Sequence, residues 1–303
     1  MKYTRIEGIV PPVVTPLTCN GDLDIAGLQR HHEYLLKNDV AALFVLGTTG
    51  EGPALNQRIK EDMIVKTVEN CNNRVPVLAG VSADNLEDYL TLSKFAAAHG
   101  ADGIVAAPPS YLPLERNELL EFYRILTLEQ ELPVYVYNMP AMTKIDMQPD
   151  LIIEIASLPG IAGYKDSSGK FDNFKTVADA LKNRQDFSLF MGPDTLLKPA
   201  LAAGACGGVN SGANLAPQFY TGLFKAFRAG DMENVERCQR GIEELQKVYY
   251  FRENICCGVA AGLKYALQCL KIMDSYLTRP AKRIECEKVI EDFACELQQQ
   301  FNI

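Results

Sequence analysis

Apolar and polar positions along this chain follow two periods in turn. Short runs that are apolar at nearly every position fall at residues 8–15, 41–46, 75–79, 103–107, 133–137, 161–165, 187–191 and 207–210. Each is closed at once by Gly, Pro, Asn, Asp or Ser, the signature of a buried strand. Between them, residues 25–37, 57–70, 85–98, 115–128, 150–157, 173–181, 195–203 and 217–229 carry the periodicity of helices. Asp24 stands where the first helix needs an N-cap. Strands apolar on both faces, alternating with helices, predict a parallel sheet covered by helices. Eight such units match an α/β fold of the (β/α)8 TIM-barrel type, which takes roughly 250 residues. An open doubly wound sheet would usually carry G-x-G-x-x-G at the first turn, and Pro16-Leu-Thr-Cys-Asn-Gly21 is not one.

After Ala229 the alternation stops. Residues 231–250, 255–273 and 281–301 read as helices with no strand between them. The expected organisation is a barrel over residues 1–230 and a C-terminal three-helix extension over 231–303.

Composition narrows the function. Hydrophobic residues make up 48% and charged residues 22%, the profile of a globular chain with a core. The net charge of −8, without a Lys/Arg cluster, argues against nucleic acid and against an anionic membrane surface. No run approaches the ~18 apolar residues of a membrane span. The first residues lack an apolar signal core. Nine cysteines form no C-x-x-C pair, which fits reduced thiols in a cytoplasmic protein. Cys256 and Cys257 read as helix packing residues. The three histidines, His31, His32 and His99, have no metal-ligand spacing, so no metal is expected.

In a barrel the chemistry gathers at the C-terminal ends of the strands. The sixth strand ends on Lys165. A lysine there costs free energy unless paired or neutral, and burial lowers its pKa and supplies a nucleophilic amine. Alone, Lys165 would equally fit a snorkelling residue or a partner of Asp166. Its companions change that reading. The second strand ends on Thr48 and Thr49, framed by Gly47 and Gly50; the fourth on Ser110 and Tyr111; the fifth on Tyr137 and Asn138. The sixth adds Ser167, the seventh Gly192 and Asp194, and the eighth Val209, Asn210 and Ser211. Hydroxyls can relay protons for a lysine nucleophile, and glycine backbone N–H groups can hold a carboxylate.

Gly47-Thr-Thr-Gly-Glu51, Tyr137-Asn-Met-Pro140, Tyr164-Lys-Asp-Ser-Ser-Gly169 and Gly207-Gly-Val-Asn-Ser211, in that order and spacing, resemble the N-acetylneuraminate lyase / dihydrodipicolinate synthase family of pyruvate-dependent class I aldolases. The resemblance covers nearly the whole chain. It implies a (β/α)8 barrel with three extra C-terminal helices, usually a homotetramer built as a dimer of dimers. It implies Lys165 as the Schiff-base lysine, with no metal or organic cofactor. Tyr137 becomes the proton relay, helped by Thr49 and by Tyr111 lent to a neighbouring subunit. Thr48 and Thr49 stand as the hydroxyl pair beside the pyruvate carboxylate, with Gly47 among the substrate-binding residues, and Val209 lines the site.

Departures bear on the second substrate. Synthases that use aspartate semialdehyde have an arginine where this chain has Met142, so a bidentate carboxylate partner is missing. Ser167, Gly192, Asp194 and Ser211 match the positions that hold polyol hydroxyls in the sialic-acid lyases, although Thr195 replaces their glutamate. The expected reaction is reversible cleavage of a hydroxylated 2-keto acid, of the 2-keto-3-deoxy sugar acid or N-acetylneuraminate type, to pyruvate and an aldehyde. Dihydrodipicolinate synthase is the alternative, and a 2-keto-acid-binding barrel without turnover the alternative of another class.

Overall fold

The computed structural model describes residues 5–249, 255–280 and 287–301. Eight parallel strands form one sheet: β1 (Gly8–Ile9), β2 (Leu43–Val45), β3 (Val77–Gly80), β4 (Gly103–Ala106), β5 (Val134–Asn138), β6 (Ile161–Asp166), β7 (Ser188–Met191) and β8 (Gly207–Gly208). Their order is β1-β8-β7-β6-β5-β4-β3-β2. The ends of this order meet. Pro12 bridges Phe44 in parallel, the Val13 N–H donates to the Phe44 carbonyl at 2.7 Å, and the Ala41 N–H donates to the Ile9 carbonyl at 2.7 Å. The sheet thereby curls shut into a barrel.

The first strand is much shorter than its apolar run predicts. Pro11 and Pro12 have no N–H to give a ladder, so regular pairing stops after Ile9 and resumes only as isolated bonds.

The helices are α1 (Ile25–Leu36), α2 (Gln57–Cys71), α3 (Leu86–Ala98), α4 (Arg116–Leu128), a short α5 (Pro140–Thr143), α6 (Pro149–Ala156), α7 (Phe171–Leu181), α8 (Leu197–Ala202) and α9 (Pro217–Ala229). Caps explain several of their starts. Asp24 accepts from the Gly27 N–H, Asn56 from Ile59 and Asn85 from Asp88, each at 2.9 Å. The turn α5 has no counterpart in the expected elements; Pro140 opens it at the first helical position.

Past residue 230 lie α10 (Met232–Glu244), α11 (Gln246–Tyr249), α12 (Ile255–Cys269) and α13 (Lys288–Phe301). The first expected stretch therefore divides in two at Leu245. Residues 281–286, expected to open the last helix, lie outside the described residues, as do the side chains of Cys256 and Cys257. These helices share a core with the barrel: Val235, Leu263 and Ile290, all fully buried, pack in one cluster with Leu223 of α9 and Ile9 of β1. Each buried aliphatic side chain contributes about 2 kcal/mol, so this contact fixes the helices firmly against the β1–α9 side. No helix among the described residues is long and apolar enough to cross a membrane.

Candidate active site

Every residue of β6 is buried. Side chains alternate across a strand, so Tyr164 and Asp166 share one face and Lys165 takes the other. The Tyr164 hydroxyl donates to Asp166 Oδ2 at 2.9 Å, and the Ser168 N–H donates to Oδ1 at 2.6 Å. Asp166 is thus engaged away from Lys165, and among the described residues Lys165 makes no ion pair.

Lys165 lies beside Tyr137 in the parallel register of β5 and β6. Its Nζ stands 4.1 Å from the centre of the Tyr137 ring and 5.2 Å from that of Phe44. Aromatic faces attract a cation but replace little of the lost hydration. Burial accordingly pushes the amine below its usual lysine value, with Tyr137 and Asp194 pulling the other way.

Thr48 and Thr49 sit in a tight turn after β2. The Glu51 N–H returns to the Thr48 carbonyl at 3.0 Å, and the Thr15 hydroxyl donates to the Gly50 carbonyl at 2.6 Å. Consecutive residues in this turn send their side chains to different neighbours. Thr48 Oγ1 lies 3.3 Å from the Tyr137 hydroxyl, whereas Thr49 Oγ1 lies 2.7 Å from Ser211 Oγ at the end of β8. The hydroxyl that meets Tyr137 is therefore that of Thr48, where the expected neighbour was Thr49.

A cavity of about 540 Å³ opens at this end of the barrel. Gly47, Thr48 and Tyr137 line it, with Phe44, Met139 and Met142 as apolar wall. Lys165 lies just behind, against the Tyr137 ring and only 6% exposed.

The other expected binding residues gather at the ends of β6, β7 and β8, and none lines this cavity. The Gly192 N–H donates to the Asp166 carbonyl at 2.7 Å, and the Asn210 amide donates to the Gly192 carbonyl at 2.9 Å. A Cβ on Gly192 would come within 2.0 Å of Ser167 Oγ, so only glycine lets these two strand ends close up. Val209 is buried, its N–H donating to the Met191 carbonyl at 2.9 Å. Asp194 accepts from the Gly212 N–H at 3.3 Å; burial raises its carboxyl pKa, opposed by the Tyr249 and Tyr220 hydroxyls.

Tyr111 stands apart. It is 82% exposed, on a loop pinned by Asp84, whose Oδ1 accepts from the Ser110 hydroxyl at 2.9 Å. Among the described residues no three His, Cys, Asp or Glu side chains converge as a metal-ligand set.

Several parts of the wall were not foreseen, among them Phe44, the turn after β3 and, from the C-terminal region, Ala260, Thr278, Arg279 and Pro280. Phe44 was read as core strand, because an inward barrel position is not marked in a run apolar at every step. The turn after β3 contributes Ser82 and Asp84. The polar Ser-Ala-Asp-Asn sequence that follows Gly80 and Val81 was the available signal.

Comparison with known proteins gives the family. A model of the dihydrodipicolinate synthetase family matches residues 5–299. The 4-hydroxy-tetrahydrodipicolinate synthase of Methanoculleus marisnigri is 34% identical over 250 residues, which is 82% of this chain and 85% of that one. A probable 2-dehydro-3-deoxy-D-pentonate aldolase of Escherichia coli, YjhH, is 29% identical over 91% of each chain. The structure of dihydrodipicolinate synthase from Bacteroides thetaiotaomicron superposes with a TM-score of 0.90 at 38% identity, covering 98% of this chain and 99% of that one. Barrel, strand-end lysine and matched length lead to one conclusion: the chain belongs to the dihydrodipicolinate synthetase family, whose members are class I aldolases and lyases.

Proposed function

We propose that this enzyme reversibly cleaves a hydroxylated 2-keto acid to pyruvate and an aldehyde through an imine on Lys165. One observation carries the reading: a buried lysine without an ionic partner among the described residues lies against Tyr137, whose hydroxyl meets Thr48 at the cavity. A lysine of ordinary pKa is neutral in only about one molecule in 2,500 at pH 7, so the lowered value matters for attack.

The neutral amine adds to the C2 carbonyl, and loss of water with uptake of one proton gives a protonated imine. The C3–C4 bond breaks with its electron pair passing into that imine, leaving an enamine. The proton of the C4 hydroxyl passes to Tyr137 as Tyr137 gives its own to Thr48 and Thr48 passes one on; the aldehyde departs, and the same relay run backwards returns that proton through Tyr137 to C3. Protonation of C3 and hydrolysis release pyruvate and restore the amine. Tyr111, supplied by a second copy in a homotetramer, and Thr49 complete the relay in this reading. Gly47 and Thr48 face the carboxylate and Val209 lines the site, while Ser167, Gly192, Asp194 and Ser211, at the strand ends outside the cavity described above, form the polyol side in this reading. Residues 231–303 form the helical extension of the barrel, and the enzyme works in the cytoplasm with no cofactor beyond the imine.

Met142 on the cavity wall supports the hydroxylated substrate, because a thioether cannot clamp a second carboxylate. The second reading, condensation of pyruvate with aspartate semialdehyde, draws on the synthase from Methanoculleus marisnigri. Borohydride reduction with pyruvate, followed by a cleavage screen of 2-keto-3-deoxy acids and N-acetylneuraminate, tests the proposal. A covalent adduct lost in Lys165→Ala, and pyruvate release from at least one sugar-derived acid, are expected. No adduct sinks the mechanism. An adduct with turnover only on aspartate semialdehyde selects the second reading.

A further inference from the structure

The ion pair Glu51–Lys264 differs from the surface pairs of this protein by its burial: its side chains are 5% and 0% exposed. Lys264, on α12, donates to Glu51 Oε2 and, at 2.7 Å, to the Leu277 carbonyl. The other carboxylate oxygen, Oε1, accepts from the Arg279 N–H. Both oxygens of a residue in the turn after β2 are therefore held by the last quarter of the chain.

Such a pair is a poor way to gain stability. Taking each charge out of water costs several kcal/mol, and apolar residues of similar volume often fold as well or better. Burial lowers the Lys264 pKa, and the facing Glu51 carboxylate opposes that shift. The pair supplies position, and the turn needs it. Glu51 has φ +58° and Leu46, at the other end of the turn, φ +61°, both left-handed values that cost a non-glycine residue free energy. Just past Glu51 the backbone returns so close to Leu46 that a Cβ on Gly52 would lie 1.9 Å from the Leu46 carbonyl oxygen. Strained backbone of this kind persists only where its surroundings over-determine it. Inside the turn, the Gly52 N–H returns to the Gly47 carbonyl at 3.1 Å. From outside, the Thr15 hydroxyl holds the Gly50 carbonyl, and the C-terminal region holds the Glu51 carboxylate.

We infer that Glu51 and Lys264 are positioning residues, which fix the turn carrying Thr48 and Thr49 and so make the C-terminal helices set the geometry of the barrel mouth. Glu51 borders the cavity, but both its oxygens are already engaged, so it acts through the turn. What the turn binds rests on the Schiff-base reading; that it is held in this way does not.

Three variants test the inference: E51Q, K264M and the apolar pair E51L/K264M. Two readouts are needed: amide hydrogen exchange in a peptide spanning residues 47–52, and the pyruvate concentration that half-saturates borohydride trapping. E51Q keeps the side-chain shape and the acceptor for Arg279 but loses the ion pair. It is expected to exchange at least about ten-fold faster in that peptide, with about a ten-fold higher half-saturating pyruvate. Trapping at saturating pyruvate should stay complete, because Lys165 is intact. E51L/K264M should recover the thermal stability that K264M loses, yet keep the fast exchange and weak half-saturation. If E51L/K264M folds with wild-type exchange and wild-type half-saturation, the pair is replaceable filling and the inference falls. If the Met variants do not fold, E51Q decides alone: unchanged exchange overturns the inference. A wild-type protein that traps no pyruvate would overturn the Schiff-base reading, while the exchange data, which need no substrate, would still decide on the pair.

Discussion

Thr48 Oγ1 and the Tyr137 hydroxyl lie 3.3 Å apart although 89 positions separate the two residues in the chain. The contact spans the barrel mouth from the end of β2 to the end of β5. A phenol so placed can pass its proton to a second hydroxyl while receiving one from substrate.

Removing the phenol oxygen should therefore stop turnover without stopping imine formation. Tyr137→Phe is expected to lower kcat by about 10²–10⁴-fold, the range for loss of a positioned general acid–base. Thr48→Val should lower it by roughly five-fold, since a neutral hydrogen bond contributes about 1 kcal/mol, and Thr48→Ser should recover most of that. Both losses are read as pyruvate release in the steady state, with borohydride trapping as the control that Lys165 still reacts. A Tyr137→Phe enzyme with wild-type kcat would remove tyrosine from the relay.

The pH dependence of trapping should reveal the environment of Lys165. Burial holds its pKa below the usual lysine value of 10.5, so the neutral amine accumulates at lower pH than in a free lysine. The rate of adduct formation at low pyruvate should rise with pH and level off with a midpoint below 10.5. A midpoint at or above that value would mean that the lysine is solvated in solution.

Met142 offers a test of specificity on the cavity wall. Met142→Arg adds a guanidinium that can grip a carboxylate with two hydrogen bonds. The variant is expected to gain about ten-fold or more in kcat/KM for aspartate semialdehyde and to lose activity on neutral polyhydroxy aldehydes. No change in the ratio of the two activities would show that residue 142 does not meet the second substrate.

Away from the site, two adjacent buried histidines should govern acid stability. His31 is lowered to about 4, chiefly by burial, and His32 to about 3, by burial and then by the charges of His31 and Arg74. In the unfolded chain both titrate near 6.5, so between that pH and the folded values the unfolded state binds more protons. Stability should therefore fall as pH drops from about 6.5 towards 4, by on the order of 3 kcal/mol from His31 alone. Urea unfolding from pH 7 to 4.5 measures this, and His31→Gln should flatten the slope. Equal slopes in wild type and variant would assign the acid loss to carboxylates instead.

The barrel was legible because burial on both faces writes itself into a strand as unbroken apolar sequence. That same feature hid which strand residues point inward, so Phe44 went unnoticed beside Lys165. The prolines at 11 and 12 announced a disturbed strand but not its length, which depends on which N–H groups the neighbouring strand can use. Lys165 and Tyr137 could be placed because each ends a strand and register is short-range. The partner of each threonine could not, because it depends on how a five-residue turn is wound. Glu51 stands in the turn motif after the second strand, but its partner was not legible: Lys264 lies 213 positions away, and only packing of α12 against the barrel mouth brings them together.

Phe44 closes the barrel with its backbone and faces the Lys165 ammonium with its ring. The seam beside it is joined by bonds around the two prolines rather than by a regular ladder, and a change of chain connectivity there could open it. Each such opening would admit water beside the amine and return it towards ordinary basicity. Circular permutation with new ends near Pro12 would thus be felt first as a drop in reactivity at neutral pH, before any loss of folded structure.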